Sequence, residues 1–249
     1  MTAHLGMAVN WHRDRGEAEF ITAIQRIRAA GMTGVEPNCP DPALIARAVE
    51  LCRAEGLTPT ALATGRMACH APGDNGAAAA VLLTAAAEAE RAGVPLVVGL
   101  LRGRPGTPVD AVLAFLASAV AAALNVHPRL HILLEPINGR ETAWPNTLAE
   151  GLEALERLKL PRVTLLADTY HLVQSGEMDR WQAAADRIGH VHLAGPKRQP
   201  PDGGDPAADI PLAQALRFAR QHGKNVSFEL ADNATVHAQR CAAWAAGIA

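Results

Sequence analysis

Four acceptor side chains stand at or near the ends of apolar runs. Glu135 follows Ile132-Leu133-Leu134, and Asp168 follows Val163-Thr164-Leu165-Leu166-Ala167. His192 lies within His190-Val191-His192-Leu193, and Glu229 follows Val226-Ser227-Phe228. Such runs read as β-strands, along which side chains alternate between two faces. Glu135 then shares a face with Leu133, Asp168 with Leu166 and Thr164, and Glu229 with Ser227. Three carboxylates brought together in a partly dry site repel one another strongly unless a positive charge joins them. One divalent metal ion is the economical answer. Three carboxylate oxygens and one imidazole nitrogen suit Mn2+ or Mg2+, and the imidazole also admits Co2+ or Zn2+. Taken alone, a strand-end carboxylate reads equally well as the N-cap of the next helix. Four acceptors at the ends of four successive strands point instead to metal binding or catalysis. His190, two residues deeper than His192 on the same face, reads as a packed, hydrogen-bonded core histidine.

The elements that would position these residues alternate in period. Apolar stretches rich in Val, Leu and Ile fall at 4–10, 33–37, 58–64, 94–100, 130–136, 162–168, 189–194 and 225–230. Between them apolar residues recur three and four apart, as in Phe20, Ile24 and Ile27, or Leu148, Leu152, Leu155 and Leu158. This βα alternation predicts a parallel sheet. The strands are apolar on both faces, as in a barrel whose interior is filled and whose exterior is covered by helices. The competing doubly wound sheet carries a Gly-rich phosphate turn after its first strand, and Asn10 to Gly16 has no GxGxxG. The expected fold is therefore α/β, a single (β/α)8 TIM barrel occupying 1–249 as one domain. In such a barrel the strand-end acceptors converge at the C-terminal mouth. The Pro/Gly/Asp-rich stretch from Gly195 to Pro211 reads as an irregular functional loop at that mouth.

Composition narrows the partners. The chain has 249 residues, 49% of them hydrophobic and 19% charged, as in an ordinary globular protein. A net charge of -2 provides no general attraction to nucleic acid or an anionic membrane, so a small-molecule substrate is expected. No apolar run of about 18 residues stands out, and the first six residues lack the pattern of a secretory signal. Cys39, Cys52, Cys69 and Cys241 form no CxxC pair, and free thiols in a reducing cytoplasm are the plain reading. Helices exposed on such barrels frequently pair, which makes a homodimer an expectation without selecting a surface.

The motifs around the four acceptors resemble the xylose isomerase-like TIM-barrel superfamily of hydroxypyruvate isomerases, ketose 3-epimerases and inosose-processing enzymes. The matching pieces are Leu134-Glu135-Pro136-Ile137-Asn138, Asp168-Thr169-Tyr170-His171, Ile188-Gly189-His190-Val191-His192 and Phe228-Glu229, with Gly34-Val35-Glu36 as a weaker match. The first two most resemble the hydroxypyruvate-isomerase branch. The resemblance implies that Glu135, Asp168, His192 and Glu229 hold the metal. It further implies that Glu135 and Glu229 are catalytic, moving a proton of the substrate, and that His171 and Arg198 contact substrate oxygens.

The implied reaction is metal-dependent proton transfer through an enediolate, which the cation stabilises while one carboxylate takes the proton alpha to a carbonyl. Return of the proton to the neighbouring carbon is isomerisation, and return to the same carbon from the other face is epimerisation. Both outcomes fit the same pair of glutamates.

Several residues depart from the family pattern or carry two readings. The segment Arg198-Gln199-Pro200-Pro201-Asp202-Gly203-Gly204 differs from the R-G-x-P-G-x-G usual after strand seven, and strand three, Ala61-Leu62-Ala63-Thr64, lacks a polar group common in relatives. Trp144 and Trp11 read either as a wall for a bound sugar or as packing, and Arg102 and Arg104 either as an anion site or as solvated loop charges. A barrel-type abasic-site endonuclease would need extra His ligands on strands three and four, where Leu62-Ala63-Thr64 and Val97-Val98-Gly99 supply none. A non-catalytic metal-holding barrel is the remaining alternative.

Overall fold

A computed structural model describes residues 3–11, 16–63, 75–201, 205–231 and 234–248. Its strands are β1 (Leu5–Asn10), β2 (Gly34–Asn38), β3 in two pieces (Thr58–Pro59 and Leu62–Ala63), β4 (Leu96–Val98), β5 (Ile132–Leu134), β6 (Val163–Asp168), β7 (Ile188–Leu193) and β8 (Asn225–Phe228). Each pairs in parallel with its sequence neighbour, and β1 pairs with both β2 and β8, so the sheet closes on itself. The expected eight-stranded α/β barrel is therefore the observed one. The first piece of β3 pairs with β2, where Thr60 N donates to Val35 O at 2.8 Å, and the second turns its pairing to β4, with Leu62 N donating to Pro95 O at 2.9 Å. At the closure, a Cβ on Gly6 would lie 2.3 Å from the carbonyl carbon of Gly34, so only glycine allows β1 to approach β2 this closely.

The helices are α1 (Gly16–Ala29), α2 (Ile45–Ala54), α3 (Asn75–Ala92), α4 (Val109–Val126), α5 (Leu148–Leu158), α6 (Thr169–Ser175), α7 (Pro206–Gln221) and α8 (Ala238–Ala246). They cover the outer face of the strands. Met7, Val35, Leu96, Ile132, Leu165 and Phe228 point outward into one core with Phe20, Ile24, Leu155 and Leu216 of the helices. The strand interior divides in two. Ala61, Val97, Leu133 and Leu166 form an apolar cluster on strands three to six. Glu36, His190, His192 and Ser227, all buried, fill the opposite side from β2, β7 and β8.

Two expectations need correction. α4, with mean hydropathy 2.0 over its 18 residues, is long and apolar enough to cross a membrane by composition, contrary to the expected lack of such a run. In this fold it packs on the barrel through Val112, Phe115, Leu116 and Val120. The mouth loop is also shorter than expected, because α7 begins at Pro206, inside the stretch read as irregular. Proline suits the first helical position, where its missing N–H would have no partner. Pro211 lies farther inside the helix, a position at which sequence reading places a break.

Candidate metal centre and active site

Alternation along the strands carries the four acceptors to one place. Glu135, Asp168, His192 and Glu229 each offer one atom to a group in which all four lie within 4.8 Å of one another. Glu135, Asp168 and His192 are buried, and Glu229 is partly exposed. Gly99 makes room for the first: a Cβ there would lie 2.9 Å from Glu135 Oε2.

Asp168 caps a helix with one oxygen and faces the cluster with the other. Its Oδ1 accepts from Tyr170 N at 2.8 Å and caps α6, while Oδ2 faces the cluster and accepts from Arg198 Nη1 at 2.9 Å. The same Nη1 also donates to Glu229 Oε2. Arg198 reaches this point from a tight turn in which Arg198 N donates to Gly195 O at 2.8 Å and Gly195 N to Gln199 O at 2.9 Å. The turn holds Arg198 at φ 57°, a left-handed conformation costly for a residue with a Cβ. Its guanidinium also lies over the Tyr170 ring, 4.2 Å from the centroid.

His171 is oriented from behind. Asn138 N and Nδ2 approach its Nδ1 at 3.3 and 3.0 Å, and both are donors because the Asn138 Oδ1 already accepts from Arg140 N. Burial holds His171 below its ordinary pKa despite the neighbouring Asp168 carboxylate, so the ring is neutral with its proton on Nε2. That N–H points toward the cluster, 3.7 Å from Asp168 Oδ2, and Arg198 Nη2 crowds it at 3.1 Å as a second donor.

The carboxylates differ in environment. Burial, then the charge of Glu229, pushes Glu135 up to about 8, with Asp168 adding and His192 opposing. Burial works against a charge on Glu229 too, but Arg198 and His192 hold it well below the usual carboxylate range. Burial likewise opposes a charge on His192, and Glu36 and Glu229 outweigh it, raising the ring well above its ordinary value. His192 Nδ1 is buried without a hydrogen bond, 3.4 Å from Glu229 Oε2 and 4.0 Å from Glu135 Oε1. The latter distance is the longer of the two. A buried nitrogen turned on these carboxylates could serve as a donor atom for a cation, and the set fits a divalent ion of high coordination number.

Sequence reasoning missed Glu36, whose carboxylate meets His192 Nε2 at 2.9–3.0 Å. The signal was available: an acid flanked by Val35 and Pro37, mid-strand and on the inward face, obeys the same alternation as the other four. His190 is buried, 3.0 Å from Glu36 Oε2 and 3.2 Å from Ser227 Oγ, as a packed core histidine should be. Arg102 takes neither expected role. It is buried and donates to the carbonyls of Gly99, Ala143, Trp144 and Pro145, tying together the loops after β4 and β5, whose oxygens need donors.

Trp144 is buried in the core between strands and helices with Arg157 5.9 Å above its ring, and Trp11 stacks on Phe20 at 4.7 Å. Cys39, Cys52 and Cys241 are free and buried, whereas Cys69 and Thr64 lie outside the described residues.

A family model described as a xylose isomerase-like TIM barrel matches residues 24–246. No curated protein matches the sequence. Among solved structures, the chain is similar to a D-allulose 3-epimerase from Methylomonas sp. in complex with D-allulose, at 22% identity and TM-score 0.75, covering 98% of this chain and 97% of that one. It is similar to a D-psicose 3-epimerase from Clostridium cellulolyticum H10 with D-tagatose, at 17% identity and TM-score 0.77 over 98% and 99% of the two chains. A 3-keto-D-glucoside 4-epimerase from E. coli is 19% identical with TM-score 0.73, again over 98% and 99%.

Proposed function

Because the chain belongs to the xylose isomerase-like TIM-barrel family, we propose that it is a metal-dependent ketose epimerase that exchanges the proton alpha to a ketose carbonyl, at C3. The carrying observation is the convergence of Glu135, Asp168, His192 and Glu229 within 4.8 Å, with His192 Nδ1 left without a partner. These four would hold the ion, Mn2+ or Mg2+ by their hard oxygens. When bound, it supplies the charge that makes the alpha proton acidic and stabilises the enediolate.

Glu135 and Glu229 move the proton. Their carboxylates converge at one place from β5 and β8, so one can take the proton and the other return it. Neutral His171 offers its Nε2–H, and Arg198 its guanidinium, to substrate oxygens. With a cation held by Asp168 and Glu229, the Arg198 guanidinium beside them would be available to a substrate oxygen. The free buried thiols support a reducing, cytoplasmic setting.

Epimerisation is preferred to the hydroxypyruvate isomerisation that the strand-five and strand-six motifs imply. Fold similarity to ketose 3-epimerases and the altered loop at Arg198 support that preference. Incubation with Mn2+ and D-psicose, D-fructose, L-ribulose or hydroxypyruvate in D2O, followed by NMR, tests it. The expected product is the C3 epimer carrying deuterium at C3. Conversion of hydroxypyruvate alone would replace this reading with the isomerase one, and inertness toward all four would favour a non-catalytic barrel.

A further inference from the structure

Behind the cluster, on the side of His192 away from the three carboxylates, lies a fourth carboxylate with no assigned purpose. Glu36 is 1% exposed in the middle of β2. Its Oε1 and Oε2 lie 3.0 and 2.9 Å from His192 Nε2, and Oε2 lies 3.0 Å from His190 Nε2. The network continues from His190 Nε2 to Ser227 Oγ at 3.2 Å and from Ser227 to Thr60 Oγ1 at 3.4 Å. Thr60 Oγ1 closes it by donating to Val35 O at 3.2 Å.

An ionised carboxylate only accepts hydrogen bonds, so both ring nitrogens facing Glu36 are donors. In the neutral ring that a cation requires, this keeps the His192 proton on Nε2 and directs Nδ1 at Glu135 and Glu229. We propose that Glu36 is a positioning residue for the cation: it orients His192 and makes its Nδ1 a stronger donor, without touching the ion or the substrate. A carboxylate on the far nitrogen of a ligating imidazole does both. His190 steadies Glu36 from the second side. The inference rests on the metal-dependent reading above.

The test is calorimetric titration of the metal-free chain with Mn2+, alongside thermal unfolding. The expected result is one ion per wild-type chain and roughly 10–100-fold weaker binding in Glu36→Gln. Ser227→Ala disturbs the same buried network on the His190 side only, and its affinity should stay within about threefold of wild type, on the scale of an uncoupled neighbouring change. If Glu36→Gln does not fold, Glu36→Asp retains the charge while withdrawing the carboxylate by one methylene, and should weaken binding by a similar factor. Wild-type affinity in a folded Glu36 variant would overturn this role alone. Equal weakening in Ser227→Ala would reduce Glu36 to general core support and overturn it too. Two ions per wild-type chain, falling to one in Glu36→Gln, would make Glu36 a ligand instead. Absence of Mn2+ binding by the wild type would overturn the metal-dependent reading along with it.

Discussion

Arg198 Nη1 donates to Asp168 Oδ2 across 2.9 Å, joining the turn after β7 to the end of β6 at the point where the carboxylates converge. The guanidinium thus provides a positive charge for Asp168 and Glu229 at the place a cation would serve. Replacing Arg198 by Met should destabilise the metal-free chain by about 2–3 kcal/mol. That is less than the roughly 3–5 kcal/mol of a fully buried pair, because the Arg198 side chain is 21% exposed. Mn2+ should restore more stability to this variant than it adds to the wild type. Equal Mn2+ shifts in both, read by chemical denaturation, would separate Arg198 from the cation site.

Asp168 divides its two oxygens between a helix cap and the cluster, and the two tasks can be tested apart. Asparagine is as good an N-cap as aspartate, so Asp168→Asn should preserve the cap while removing a charged ligand. Metal-free stability should fall through the weakened Arg198 pair rather than through the cap, and by less than in the Arg198 variant because Glu229 still faces the guanidinium, together with a large loss of Mn2+ affinity by titration. Undiminished affinity would mean that Asp168 serves as a cap only.

Cation binding should itself stabilise the fold. At a free concentration one hundred times the dissociation constant, the gain is about 2.7 kcal/mol. A chelator should reverse it. An unfolding midpoint indifferent to both Mn2+ and chelator would contradict a specific site.

The pH dependence of Glu135 has a definite sign. Its folded value, about 8, exceeds its ordinary value of 4.5, so between these limits the folded chain retains a proton that the unfolded chain has released. Stability contributed by this group therefore falls as pH rises through that window. Burial-depressed His171 and His190 act the other way up to about pH 6.5, so the wild-type curve alone is ambiguous. Glu135→Gln cannot ionise. In metal-free buffer its stability relative to wild type should increase steadily from pH 5 to pH 8; a constant difference would show that Glu135 is not held protonated.

The barrel and its four acceptors were legible because both rest on periodicity. Strands apolar on two faces dictate a covered parallel sheet, and alternation from Leu133 to Glu135, or from Ser227 to Glu229, fixes which residues point inward. What escaped depends on contacts between distant segments. Glu36 is 156 residues from His192, and only barrel closure brings them together. Arg102 looked like a loop charge because sequence does not reveal which carbonyls will need a buried donor. Pro206 and Pro211 looked like loop residues because composition does not distinguish a helix's beginning from the irregular chain before it.

The proposed exchange of a substrate proton by Glu135 and Glu229 at a metal-dependent site is open to direct measurement. Its most direct test is the rate of deuterium incorporation at C3 of D-psicose in D2O with Mn2+, for wild type, Glu135→Gln and Glu229→Gln. The wild type should exchange, and each variant should lose roughly 10²–10⁴-fold while remaining folded. Exchange in either variant at the wild-type rate would contradict the account.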